Sequence, residues 1–124
     1  MTLQKKLIFI GALLGGLSVA LGAFGAHALQ QILVEHGRTD TYELAVRYQF
    51  YHTLALLIMA ALADKLNESK ASWSALLMTS GTIVFSGSLY ILSLSGQTIW
   101  GAVTPVGGVL LIAGWLMLLS SAKK

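Results

Sequence analysis

The chain contains no cysteine and only one proline. The missing thiol excludes disulfides, cysteine catalysis and thiolate metal sites together. Charged residues are also scarce, at 10% of the 124 residues, whereas 56% are hydrophobic. Since about a quarter of the residues in an ordinary soluble domain are charged, this composition predicts an integral membrane protein with a single domain.

The longest stretch without a charged residue covers 71–122, which is 52 positions. A membrane helix needs only about 20 residues, so this stretch predicts a hairpin of two spans. A further uncharged run covers 7–26. We therefore predict an all-α, integral membrane four-helix bundle in one domain, with spans over about residues 7–29, 44–63, 73–95 and 104–122.

The first apolar run has one alternative interpretation, a cleaved signal peptide. Lys5 and Lys6 precede it, and the residues around His27 (Ala-His-Ala) resemble a cleavage site. We prefer a membrane span because the run of about 20 residues exceeds the usual 7 to 15 of a signal peptide.

A short amphipathic helix is predicted at the membrane interface between the first two spans, with Gly37 placed to end it. One face of this helix is formed by Leu29, Ile32, Leu33 and His36. In the second span, Arg47 is predicted to reach the interface as an anchor, with ligand binding as the secondary interpretation.

All eight Lys and Arg residues lie at or near helix ends and loops. This placement is typical of topology control and contact with anionic lipids, so no nucleic-acid partner is predicted. With four spans, one side of the membrane has only Arg38 and Arg47, beside three acids. The other side has Lys5, Lys6, Lys65, Lys70, Lys123 and Lys124. Since positive residues favour the cytoplasm, both termini are predicted to be cytoplasmic.

Polar side chains within the spans are predicted to meet in the outer half of the membrane. At 1.5 Å per residue, His52 lies roughly 18 Å and Ser86 roughly 20 Å above the cytoplasmic ends of their spans. Hydrocarbon offers no hydrogen bonds, so other helices must supply the partners. The predicted cluster is either a structural hydrogen-bond network or a ligand-binding site, and comprises His27, Tyr48, Gln49, His52, Ser86, Tyr90 and Thr104.

Small residues recur along the first and last spans, where they let neighbouring helices approach closely. The glycines assigned to helix packing are Gly11, Gly15, Gly22, Gly107, Gly108 and Gly114. Pro105 suits the first turn of the last helix, with Thr104 as its predicted N-cap.

Four segments of the sequence carry a resemblance to a known family: GAFGAHAL at 22–29, YQFYHTLALL at 48–57, FSGSLY at 85–90 and TPVGG at 104–108. In this order and spacing they resemble small bacterial inner-membrane proteins catalogued as a domain of unknown function, with small eukaryotic transmembrane relatives. The resemblance implies a four-span protein of the bacterial inner (cytoplasmic) membrane and brings no established activity. The residues that match motif positions, without assigned roles, are His27, Gln49, His52, Tyr90 and Pro105.

These features favour a non-enzymatic accessory, assembly or scaffold component. Its predicted partners are the lipid bilayer and either further copies of the chain or a larger membrane complex. The alternative is an oligomeric small-solute or proton-linked transporter or channel, with proton transfer through His27 or His52. Small multidrug exporters place a carboxylate inside their first helix, whereas no Asp or Glu occurs in 7–34.

No catalytic residue, metal site or cofactor is predicted. The sequence contains no Gly-rich phosphate loop, zinc-ligand spacing or hydrolase elbow. His27 and His52 differ in predicted height by about 12 Å, which disfavours a shared metal ion or haem.

Overall fold

The computed structural model describes residues 1–123 and is all-helical, as the sequence predicts. Lys124, which the charge count places on the cytoplasmic side, lies outside the described residues. Two 3₁₀ turns lie at Ala63–Lys65 and Thr98–Ala102. The five α-helices are α1 (Leu3–Ala26), α2 (Gln30–Glu35), α3 (Thr39–Ala61), α4 (Glu68–Ser95) and α5 (Thr104–Ser121).

Three segments are long and apolar enough to cross a membrane: Leu3–Ala26, Glu68–Ser95 and Thr98–Ser121. Helix α3 is 23 residues long but includes Arg47, Gln49 and His52. These polar residues lower its mean hydropathy. Length and composition therefore identify three of the four predicted spans and do not identify α3.

The four long helices pack in the order α1, α3, α4, α5. Helix α3 runs antiparallel to α1 over almost its whole length. At one end the Gln4 side chain donates to the Ala60 carbonyl, and at the other the Tyr42 hydroxyl donates to the Leu21 carbonyl. The termini of the two helices are therefore tied at both ends.

The main apolar core lies at the end of the molecule where the chain begins and ends. Leu7 of α1, Leu56 and Met59 of α3 and Met78 of α4 are at most 1% exposed, and Leu118 of α5 packs against them. All four long helices thus contribute to one core.

Helices α1, α3 and α4 begin four or five residues before the predicted spans, and α1 ends at Ala26 instead of near residue 29. Helix α4 begins at Glu68, because the Asn67 side chain caps its first turn by accepting from the Lys70 amide. The prediction that Thr104 caps α5 is wrong: the N-cap is Val103, and Thr104 is itself the first helical residue.

Glycines lie where the long helices cross most closely. A methyl group at Gly11 would lie 2.9 Å from the Leu57 side chain of α3, and one at Gly114 would lie 2.7 Å from Met78 of α4. Gly107 lies directly against the Phe85 backbone. A methyl group at Gly15 would lie 3.0 Å from the Thr53 side chain, and one at Gly22 would lie 3.5 Å from the Val46 side chain, so the helices are less closely packed at these two positions. A methyl at Gly108 would meet only the Phe85 ring, at 3.9 Å.

Candidate functional site

Gln49 joins three helices through its carboxamide. Its side chain is 4% exposed. Nε2 donates to the Leu14 carbonyl of α1 at 3.0 Å, and Oε1 accepts from the Tyr90 hydroxyl of α4 at 2.6 Å. Both polar atoms of this buried side chain therefore have a partner within the protein.

Tyr90 in turn packs against Tyr42 of α3, with ring centroids 5.2 Å apart and the rings edge to face. Such aromatic pairs are favourable beyond the area they bury. The Tyr42 hydroxyl donates to the Leu21 carbonyl of α1. The two tyrosines and Gln49 thus form a continuous polar and aromatic layer between α1, α3 and α4.

Ser86 forms a separate connection between α3 and α4. Its hydroxyl donates to the Ala45 carbonyl at 2.7 Å, and the side chain is 2% exposed. Ala45 lies about one turn from Gln49 on α3, so this bond sits beside the tyrosine layer and on the far side of Gln49 from His52.

His52 faces α5 and both of its ring nitrogens are engaged. Nδ1 lies 2.7 Å from the Tyr48 carbonyl, and Nε2 lies 3.0 Å from the indole nitrogen of Trp115. A carbonyl can only accept and an indole N–H can only donate. The imidazole is therefore neutral, with its proton on Nδ1, and Nε2 can take a proton or a metal only by losing Trp115.

The remaining predicted residues lie apart from one another. Tyr48 stacks on Phe85 of α4, with centroids 4.6 Å apart. The Thr104 hydroxyl is 2.6 Å from that of Ser88 and joins α4 to α5. His27 is the exposed C-cap of α1, and within residues 1–123 its side chain forms no hydrogen bond with this cluster. The structure thus distributes the predicted cluster over four helix interfaces, α1–α3, α3–α4, α3–α5 and α4–α5, and leaves His27 outside.

Three residues that connect helices through polar side chains were absent from the predicted cluster. Tyr42 lies seven residues before Gln49, and that spacing places both on one face of a helix, a signal that would have identified it. Trp115 has an indole N–H inside an apolar run, where it requires a partner. His36 carries no comparable signal, and its Nδ1 lies 2.9 Å from the Ser93 carbonyl.

Chemically, this arrangement joins helices. Its hydrogen bonds run from side chains to backbone carbonyls or to other neutral side chains. Within residues 1–123, no group of three or more His, Asp or Glu side chains is placed to hold a metal ion.

Comparison with known proteins agrees with the resemblance seen in the four segments. The family model described as "Protein of unknown function (DUF423)" matches residues 21–108. No solved structure matches the chain.

Relatives in bacteria match almost the whole chain. The UPF0382 membrane protein SH2409 of Staphylococcus haemolyticus is 45% identical over 121 residues, covering 98% of both chains. The UPF0382 membrane protein YwdK of Bacillus subtilis is 43% identical over 125 residues, with the same coverage. The UPF0382 inner membrane protein YgdD of Escherichia coli K12 is 44% identical over 124 residues, covering 98% of this chain and 92% of its own. The chain therefore belongs to the DUF423 family of bacterial membrane proteins, whose function is unknown and which carries no enzyme name.

Proposed function

We propose that the protein is a four-span, non-enzymatic accessory component of the bacterial inner membrane that acts through contact with another membrane protein. One observation carries this proposal: both polar atoms of Gln49 and both ring nitrogens of His52 have partners within the chain. These groups stabilise the bundle and are not free for a substrate or a transported proton. We therefore assign the role to its lipid-facing surface, as contact with a larger membrane complex.

The position of α3 supports a fourth span. Helix α3 lies antiparallel along α1, so a membrane crossed by α1 is crossed by α3 as well. Its polar residues Gln49 and His52 are turned inward. Its outward positions are apolar or aromatic and suit contact with lipid: Phe50, Tyr51, Leu54 and Ile58 are exposed.

The distribution of lysines supports cytoplasmic termini. The Lys123 amide donates to the Lys65 carbonyl, and the Lys70 ammonium donates to the Ser120 carbonyl. Residues 2–4 line a small cleft together with Ala63, Leu66 and Lys123. These three lysines thus lie together at one end of the bundle, as expected for the end that faces the cytoplasm.

Labelling of single cysteines with a membrane-impermeable maleimide tests this topology, and the cysteine-free chain supplies a clean background. We expect Gln31→Cys and Gln97→Cys to react in intact spheroplasts and Ser69→Cys to react only after permeabilisation. All three positions are exposed and flank α3 and α4. Reaction of Gln31→Cys and Ser69→Cys from the same side would show that α3 does not cross. The unmodified chain is the control.

Site-specific photocrosslinking in living cells tests the proposed role. A photoreactive residue is placed at Phe9 of α1 or at Ile112 of α5, two exposed apolar positions. We expect a crosslinked species of defined mass that contains a second membrane protein. The same residue at Lys65, in the 3₁₀ turn at the membrane surface, is the control for random collisions. Crosslinks to lipid alone would contradict the proposal, and crosslinks to a second copy would replace it by a homo-oligomer.

A further inference from the structure

A cleft of about 420 Å³ opens between the end of α1, α2 and the beginning of α3. Its volume is within the range of about 300–1,000 Å³ that is common for small-molecule sites. In the proposed topology the cleft lies at the non-cytoplasmic face, near the boundary between hydrocarbon and headgroups. Neither Gln49 nor His52 lines it, and Tyr42 is the one residue that it shares with the layer around Gln49.

The walls of the cleft are apolar over most of their area. Gly22 of α1, Val46 of α3 and the fully buried Leu33 of α2 line it. Tyr42 forms part of the wall, but its hydroxyl already donates to Leu21. The wall therefore offers a hydrocarbon surface and no free hydroxyl from Tyr42.

Two opposite charges stand on one side of this apolar cleft. Glu43 and Arg47 both line it, and both side chains are exposed. They are four residues apart on α3, so they share a face and Arg47 lies roughly 6 Å deeper in the membrane than Glu43. The cleft thus presents a carboxylate on the water side, a guanidinium below it and an apolar wall beside both.

We propose that this cleft binds one phospholipid with a phosphoethanolamine headgroup. Arg47 pairs with the phosphate, Glu43 accepts from the primary ammonium, and one acyl chain lies against Gly22 and Val46. The order of charges matches the covalent order of such a lipid, in which the phosphate lies between the glycerol and the amine. Arg binds phosphate through short, charge-assisted hydrogen bonds, and a carboxylate can accept one from a primary ammonium. A quaternary ammonium, as in phosphatidylcholine, has no N–H to donate to Glu43.

The assignment rests on the proposed crossing of α3, and its test is independent of any protein partner. The full chain is purified in mild detergent and incubated with equal amounts of phosphatidylethanolamine and phosphatidylcholine with identical acyl chains. Lipid retention is then measured by native mass spectrometry. We expect one phosphatidylethanolamine to be retained about 10-fold more than phosphatidylcholine, the ratio that corresponds to the loss of one charge-assisted hydrogen bond.

Two variants separate the roles of the charged groups. Arg47→Gln is expected to lower retention of both lipids roughly 10-fold, because it removes the phosphate contact. Glu43→Leu, which removes the acceptor, is expected to equalise the retention of the two lipids while leaving phosphate binding in place. Lys65→Gln, which removes an exposed charge far from the cleft, is expected to change neither. Since Glu43 and Arg47 are exposed, these substitutions leave the core intact, and equal melting temperatures verify this.

Three results would overturn the assignment. Equal retention of the two lipids by the unmodified chain excludes recognition of the amine, and this comparison needs no variant. Retention of phosphatidylethanolamine that survives Arg47→Gln excludes the phosphate contact. Competition by water-soluble phosphoethanolamine at the same concentration as the lipid excludes a role for the acyl chain. If the labelling shows that α3 does not cross the membrane while the lipid selectivity is retained, only the proposed location of the cleft in the membrane is overturned.

Discussion

Replacing Gly107 by alanine is expected to lower the melting temperature of the purified protein by roughly 5–15 °C. A methyl group at this position would lie 2.6 Å from the Phe85 Cα and still closer to the Phe85 amide nitrogen. Both are backbone atoms of α4, so no rotation of a side chain can relieve the clash. Helices α4 and α5 must therefore separate, and overpacking of this kind costs about 1–3 kcal/mol.

The next residue provides the matched control. Gly108→Ala is the same chemical change one position along the same helix, but its nearest neighbour is the Phe85 ring at 3.9 Å. Because alanine is favoured over glycine within a helix by roughly 0.5–1 kcal/mol, we expect an unchanged or slightly higher melting temperature. Thermal unfolding of both variants in one detergent makes the comparison. Equal destabilisation by the two would show that helix packing at Gly107 is not the cause.

The prediction of the helices succeeds because hydropathy and charge are properties of long stretches of chain and do not depend on the position of any single residue. The uncharged stretch of 71–122 contains a helical hairpin, and α1 covers most of the first apolar run. Helix α3 is harder to recognise because its polar residues form hydrogen bonds with other helices, and hydropathy does not include such bonds. Gln49 lowers the average of its segment although both of its polar atoms are bonded inside the bundle.

The predicted heights fail where a helix begins earlier than expected. Ser86 and His52 were placed at nearly the same level by counting α4 from residue 73. The Asn67 cap starts α4 at Glu68 instead, and the earlier start moves Ser86 upward. It consequently donates to Ala45, seven residues from His52. A local cap thus changes which residues meet across the bundle.

The partners of each polar group depend on helix order, which hydropathy and residue spacing do not reveal. Gln49 and His52 are three residues apart, so their directions differ by about 60° around α3. Since α3 lies between its neighbours, that angle is enough to turn Gln49 towards α1 and α4 and His52 towards Trp115 of α5. The residues of the single predicted cluster therefore lie at separate helix interfaces.

The bond between Gln49 and Tyr90 is the second feature with a large expected effect. Gln49→Leu keeps the volume roughly constant but leaves the Tyr90 hydroxyl without its acceptor at 2.6 Å. An unsatisfied buried group costs about 1–3 kcal/mol, so the variant is expected to unfold at a lower denaturant concentration. Tyr90→Phe removes the donor and leaves Gln49 Oε1 unpaired, with a cost of similar sign.

The double variant discriminates a specific bond from general loss of polarity. Once Tyr90 has lost its hydroxyl, Gln49→Leu no longer leaves a donor without an acceptor. The double variant should therefore lose less unfolding free energy than the sum of the two single losses, by roughly 0.5–2 kcal/mol. Unfolding with sodium dodecyl sulfate in mixed micelles measures all four proteins. Ser80→Ala is the control partner, because the Ser80 hydroxyl bonds to Leu76 of its own helix, and its cost should simply add to that of Gln49→Leu. Strict additivity of Gln49→Leu and Tyr90→Phe would mean that the bond contributes no stability. Only Gln49 Oε1 would then be available to a ligand, since Nε2 still donates to the Leu14 carbonyl, and the argument that the polar layer serves only the architecture of the bundle would fail.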